Sequence, residues 1–242
     1  MNVYEEGIDV SRYQGAVDWA AVYNAGKRFA IVRLGSSNKN GPYVDPYFDK
    51  NVTGAQQAGL RVGAYYYTYA KTEDEVIQEL LVFLQVLEGH QLEYPVYVDM
   101  EENSLTYLGK EKITQLIKFA MDILDQKGWY PGYYSYTEFL RRYIDSEQLK
   151  DYPLWVADYR GYVGHTGDYG MWQYSSVGKV DGISGNVDLN YSYVDYLPLI
   201  QKAGKNGYQP TEEPVCREEE YKQKWQAAEE KLNKIQEILN EV

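Results

Sequence analysis

The sequence predicts an α/β fold: an irregular TIM-like barrel of five βα units followed by three strands, with a C-terminal helix appended. Two observations predict it. Eight short apolar runs read as strands, at residues 7–10, 29–35, 61–69, 95–101, 130–136, 154–159, 170–175 and 186–191. Helical patterns follow each of the first five, whereas Gly- and Asp-rich loops without room for crossover helices join the last three. Strands alternating with helices make βαβ units and a parallel sheet, and eight strands invite closure.

Each helix carries its own punctuation. The first, over 17–25, ends at Gly26. Asp45-Pro46 supplies an N-cap and an N1 proline for the second, which Gly59 closes. Thr72 and Glu75 form a capping box ahead of 76–88, with Gly89 beyond. Residues 110–127 place Ile113, Leu116, Ile117, Ala120, Met121 and Leu124 on one face and stop at Gly128. Residues 137–148 form a shorter fifth helix. The barrel domain is thus expected over 1–203. Two glycines and two prolines mark a linker over 204–215. Over 216–242, Tyr221, Trp225, Ala228, Leu232, Ile235, Leu239 and Val242 are spaced 4, 3, 4, 3, 4, 3. That is an amphipathic heptad seam, suited to self-association or to docking on the barrel.

Composition narrows the function. The 242 residues carry 24 Lys+Arg against 36 Asp+Glu, a net charge of −12, which argues against a nucleic-acid partner. A hydrophobic share of 44% supports a core and argues against disorder. One Cys, Cys216, excludes a disulfide framework, and two loop-like histidines, His90 and His165, make no metal site. No metal and no cofactor are expected. No apolar run approaches about 18 residues, so no membrane span is expected. The opening MNVYEEGIDV lacks the basic and apolar regions of a signal peptide. The 27 tyrosines stand against 5 Phe and 5 Trp. Tyrosine pairs an apolar face with a polar tip, which suits a wet groove stacking on sugar or peptide; tyrosine standing in for core Phe gives the same count.

The sharpest local signal is Pro95-Val-Tyr-Val-Asp-Met-Glu-Glu102. Side chains alternate along a strand, so Asp99 and Glu101 share one face, and Val98 and Met100 the other. Apolar residues take the helix side, which turns both carboxylates into the barrel, at the strand's C-terminal mouth where such barrels place their sites. Two like charges so close cannot both ionise easily, so one carboxyl is held protonated near neutral pH, as a general acid for glycoside cleavage requires. The alternative is a rim pair bound to Lys or Arg. Asp9 and Asp188 end the first and last strands, which are neighbours in a closed barrel and so border the pair. Tyr65 and Tyr67 share a strand face, and Tyr134, Trp155 and Gln173 lie near later strand ends, placed for stacking on sugars or for barrel packing.

These residues carry a resemblance. Gly7-Ile-Asp-Val-Ser-Arg-Tyr-Gln14 resembles the opening of family 25 glycoside hydrolases, the Chalaropsis-type lysozymes. Gly63-Ala-Tyr-Tyr-Tyr67, Tyr97-Val-Asp-Met-Glu101, Leu154-Trp-Val-Ala157, Trp172-Gln-Tyr174 and Val187-Asp188 follow in the family's order, from residue 7 to about 197. The resemblance implies a barrel of five βα units plus three strands. It also implies cleavage of the β-1,4 bond between N-acetylmuramic acid and N-acetylglucosamine in bacterial peptidoglycan, by a phage endolysin or a secreted wall enzyme acting at the cell wall. Glu101 then matches the general acid, Asp99 its assisting carboxylate, Asp9 and Asp188 the acids of the groove floor, and Tyr65 a tyrosine near the reacting sugar. Tyr66 departs from the family, which often has His there. Two rival readings are a chitinase-like hydrolase and a non-catalytic wall-binding barrel. The first calls for further acids along the fourth strand, none of which precedes Asp99; an intact Asp99 and Glu101 argue against the second.

Overall fold

Strand β1 (Glu5–Val10) leads through α1 (Trp19–Asn24) to β2 (Phe29–Asn38), and a hairpin partner, β3 (Gly41–Val44), precedes α2 (Phe48–Gln57). There follow β4 (Arg61–Tyr67), α3 (Glu73–Leu87), β5 (Val96–Asp99), α4 (Gly109–Gln126), β6 (Pro131–Tyr136) and α5 (Thr137–Tyr143). The last stretch holds β7 (Leu154–Ala157), β8 (Met171–Gly178), β9 (Val187–Ser192) and α6 (Tyr196–Ala203). This is a computed structural model, and it describes residues 2–38 and 40–210.

The strands run in the order β1-β9-β8-β7-β6-β5-β4-β2, and parallel pairing of β1 with β2 closes the barrel. Five βα units are followed by three strands, as the pattern predicts. One strand breaks the expected parallel sheet: β9 runs antiparallel to both β1 and β8. The short connection after β8 can only make a hairpin, whereas residues 158–170 give β7 and β8 the reach for a parallel crossover.

Alternation along the strands sorts the apolar residues into two layers. Ile8, Val10, Val32, Val62, Val96, Val98 and Met100 face outward against helix residues such as Val52, Leu80, Phe83, Ile113 and Leu116. Phe29, Ile31, Tyr97, Tyr134, Trp155 and Met171 fill the inside, joined from below by Tyr94 and by Tyr196 and Ile200 of α6. The lower end is tightly filled. Tyr94 stacks on Phe29 at 4.6 Å, and a Cβ at Gly7 would lie 2.5 Å from the Phe29 ring, so only glycine leaves the ring its room. The upper end is left for polar chemistry.

Several element ends differ from the sequence pattern. Helix α2 begins at Phe48, not behind an Asp45 cap, because the Asp45 carboxylate binds the Arg12 and Tyr47 N–H groups and Arg33 instead. At α3 the Thr72 hydroxyl does cap Glu75 N–H, but the Glu75 carboxylate reaches Lys71 N–H, one residue before the cap. The fifth helix stops at Tyr143 and gives way to a 3-10 turn, Ser146–Leu149. The expected linker start at 204 is overtaken by Asn206, fully buried, which accepts from Tyr130 N–H and donates to the Leu92 and Tyr94 carbonyls. The compact unit therefore runs to Gln209. The helix expected over 216–242 lies outside the described residues. Among the described residues, no helix is long and apolar enough to cross a membrane.

Candidate active site

The inward positions at the C-terminal ends of the parallel strands, with Asp188 from the N-terminal end of the antiparallel β9, enclose a cavity of about 200 Å³. All nine predicted residues line it: Asp9, Tyr65, Tyr67, Asp99, Glu101, Tyr134, Trp155, Gln173 and Asp188. Arg33 and Tyr159 line it too and were not predicted. Both obey the same alternation, Arg33 two residues after the inward Ile31 and Tyr159 two after the inward Ala157. Strand parity was the signal that could have found them.

Asp99 closes β5, and Glu101 stands two residues beyond the strand end rather than on it. Both still face the cavity. Burial raises the Glu101 carboxyl first, and the charges of Asp188 and Glu102 add to it, pushing it up to about 7. Burial also holds Asp99 well above the usual carboxylate range; Glu101 and Asp9 push the same way and the Arg33 guanidinium opposes them. Asp99 Oδ1 has no hydrogen-bond partner among the described residues.

The floor is a connected network. Asp9 and Asp188 face each other across the antiparallel β1–β9 pair. Asp9 Oδ2 accepts from Gln173 Nε2 and Asn190 Nδ2, both at 2.8 Å. Burial, then the charge of Asp188, raises the Asp9 carboxyl well above its ordinary range, and burial raises Asp188 as well. Gln173 Oε1 accepts the hydroxyls of Tyr134 at 2.9 Å and Tyr159 at 2.6 Å, which fixes the amide's orientation. Trp155 Nε1 donates to Asn190 Oδ1 at 2.9 Å, and its ring lies 4.5 Å from that of Tyr134. With 1% of its surface exposed, Trp155 supports the floor from beneath; it offers no open face for stacking. Tyr65 and Tyr67 are half-buried and more accessible.

Tyr66 points the other way. It is fully buried on the helix side, its ring 4.9 Å from Phe83, so a histidine at this position would not reach the cavity. Arg33 is the single cation among the cavity-lining residues. Its Nε donates to Asp45 Oδ2 at 2.8 Å, and its Nη2 lies 2.7 Å from the same oxygen without an aligned hydrogen bond.

Known proteins resemble this chain in sequence and in fold. The sequence model for glycosyl hydrolases family 25 matches residues 8–183. The uncharacterized protein YegX of Escherichia coli (strain K12) is 34% identical over 195 residues, 76% of this chain and 68% of that protein. The autolytic lysozyme of Clostridium acetobutylicum is 31% identical over 195 residues, again 76% of this chain but 55% of the lysozyme. Among solved structures, the CTP1L endolysin aligns with a TM-score of 0.69 at 26% identity, covering 81% of this chain and 69% of that one.

Proposed function

The chain belongs to the glycosyl hydrolases of family 25 and is a glycoside hydrolase of lysozyme type; from that premise we propose that it is an N-acetylmuramidase. It cleaves the β-1,4 bond between N-acetylmuramic acid and N-acetylglucosamine of bacterial peptidoglycan, with Glu101 as general acid. One observation carries the assignment of Glu101: a carboxyl with a pKa of about 7 stands beside Asp99 in a cavity at the barrel mouth. A carboxylic acid that still holds its proton near neutrality can deliver it to the leaving glycosidic oxygen. Asp99, on which the Arg33 guanidinium acts against the burial that favours the neutral form, is the carboxylate placed to meet the positive charge that develops on the sugar. Asp9, Asp188 and Gln173 form the floor, and Tyr65 and Tyr67 the accessible wall. The names of the relatives, an autolytic lysozyme and an endolysin, support the wall as the place of action. The heptad seam of 216–242 supplies a self-association element.

Turbidity loss of purified Gram-positive walls, followed by analysis of the new reducing ends, tests the reading. Reducing muramic acid ends are expected. Glu101→Gln keeps size and hydrogen bonding but cannot donate the proton, so the rate falls by about 10²–10⁴-fold while the fold persists by circular dichroism. A Glu101→Gln protein clearing walls at nearly the wild-type rate would overturn the assignment.

A further inference from the structure

Four acids line the cavity, and a single cation does. That cation, Arg33, is one edge of a cluster that continues outward to the rim. Its guanidinium lies 5.0 Å from the centre of the Tyr13 ring; Arg12 approaches the same ring at 5.3 Å and the Tyr43 ring at 5.4 Å. Tyr13 is 74% exposed, and Arg12 is exposed beside it. Asp45 is committed to Arg33 and to the Arg12 backbone N–H, and the Arg12 guanidinium forms no ion pair among the described residues. The aromatic surface also connects inward, because Tyr69 on the rim lies 5.1 Å, ring to ring, from the cavity-lining Tyr67.

Resting on the muramidase reading, we propose that Arg12, with Tyr13 and Tyr43, forms a subsite for a carboxylate on the muramic-acid side of the glycan. The substrate presents a conflict that such a subsite resolves. Its sugar rings are uncharged and suit the acid-lined cavity, whereas its lactyl group or the peptide stem attached there carries carboxylates for which the cavity, its one cation already on Asp45, has no free cationic partner. Arginine on a tyrosine shelf answers this. The ring faces and a side-chain hydrogen bond to Tyr13 hold the guanidinium in place without neutralising it, which leaves its other donors for a carboxylate. The shelf stands where β1 ends and the β2–β3 hairpin begins, at the rim, so a bulky stem reaches it without entering the cavity.

The test measures KM and kcat on soluble glycan strands of three kinds: with peptide stems, with the stem carboxylates neutralised by amidation, and with stems removed by an amidase so that lactyl carboxylates are free. Arg12→Gln is expected to raise KM on stem-bearing strands about 3–10-fold, the range of one partly exposed charged hydrogen bond, with kcat held. Arg12→Glu raises it further, and both effects shrink at high salt. On amidated strands the ratio of variant to wild-type KM falls toward one. Sensitivity confined to stem-bearing strands identifies the stem carboxylates as the ligand; sensitivity on stripped strands as well shows that the subsite also takes the lactyl carboxylate freed there. An Arg12→Gln KM ratio that is the same on amidated and stem-bearing strands overturns the subsite and leaves the muramidase reading standing. Wild-type protein that cleaves none of the three strands overturns the reading on which it rests.

Discussion

At Glu101 a protonated carboxyl and a reactive one are the same group, and Asp188 decides how long the proton stays. After burial, the Asp188 charge is the largest influence raising the Glu101 pKa to about 7. Asp188→Asn removes that charge, so Glu101 loses its proton at lower pH and the alkaline limb of kcat/KM against pH moves toward acid. An unmoved limb would show that Asp188 does not act on the acid. Stability follows the same sign. The folded pKa of Glu101 lies above its ordinary value of 4.5, so the stabilising contribution of the protonated form is complete below that value. It is lost as pH rises through about 7. Glutamine stays neutral throughout, and the melting temperature of Glu101→Gln should gain on wild type from about pH 5 to pH 8 by a few degrees in calorimetry. A constant difference would contradict the buried-acid account. Sequence alternation was enough to bring nine side chains to one cavity. The same alternation reaches Arg33, but what lets a guanidinium stay 7% exposed there was not legible, because its partner Asp45 lies beyond a hairpin that the pattern did not show.

The elements that escaped the sequence are those whose stability comes from the rest of the fold. Strand β3 has four residues, begins Gly-Pro and pairs only with β2, so it offers neither length nor alternation to read. Helix α6 holds Pro198 near its start, where a missing N–H costs nothing, but in a short segment proline reads as a break. Its apolar side, Tyr196 and Ile200, has meaning only against a barrel whose lower end is open to receive it. Asn206 then fastens the chain after α6. It takes a left-handed φ of 54° and serves three backbone groups from two neighbouring segments. Asn206→Ala leaves one buried N–H and two carbonyls without their partner and should lower stability by about 2–4 kcal/mol in urea unfolding. Because the bonds lie at the opposite end from the cavity, kcat at moderate temperature should stay within about twofold. A stable variant would mean that water replaces the side chain; a large loss of kcat would mean that the two ends of the barrel are coupled.

For the whole molecule, the boundary between catalysis and association can be placed by experiment. The compact unit ends at Gln209, and every cavity-lining residue precedes residue 189. A chain ending at Gln209 keeps all of these residues and should cleave soluble strands with the kcat and KM of the full chain. The heptad seam spans about three repeats, and a helix of ordinary sequence gains most of its stability by packing its apolar face on a partner. If seams of two copies pair, the heptad spacing would bring Trp225, Leu232, Ile235 and Leu239 together away from water. Light scattering should therefore find the full chain as a dimer and the chain ending at Gln209 as a monomer. Replacing Leu232 and Leu239 with lysine in the full chain should have the same effect as the truncation, because it puts like charges into the seam without removing a residue. Two copies on one particle also bind a polymeric wall at two points, so the dimer should clear intact walls faster than the monomer at equal site concentration, although soluble strands reveal no difference. A monomeric full chain would remove the association seam, and the barrel would remain the whole of the catalytic account.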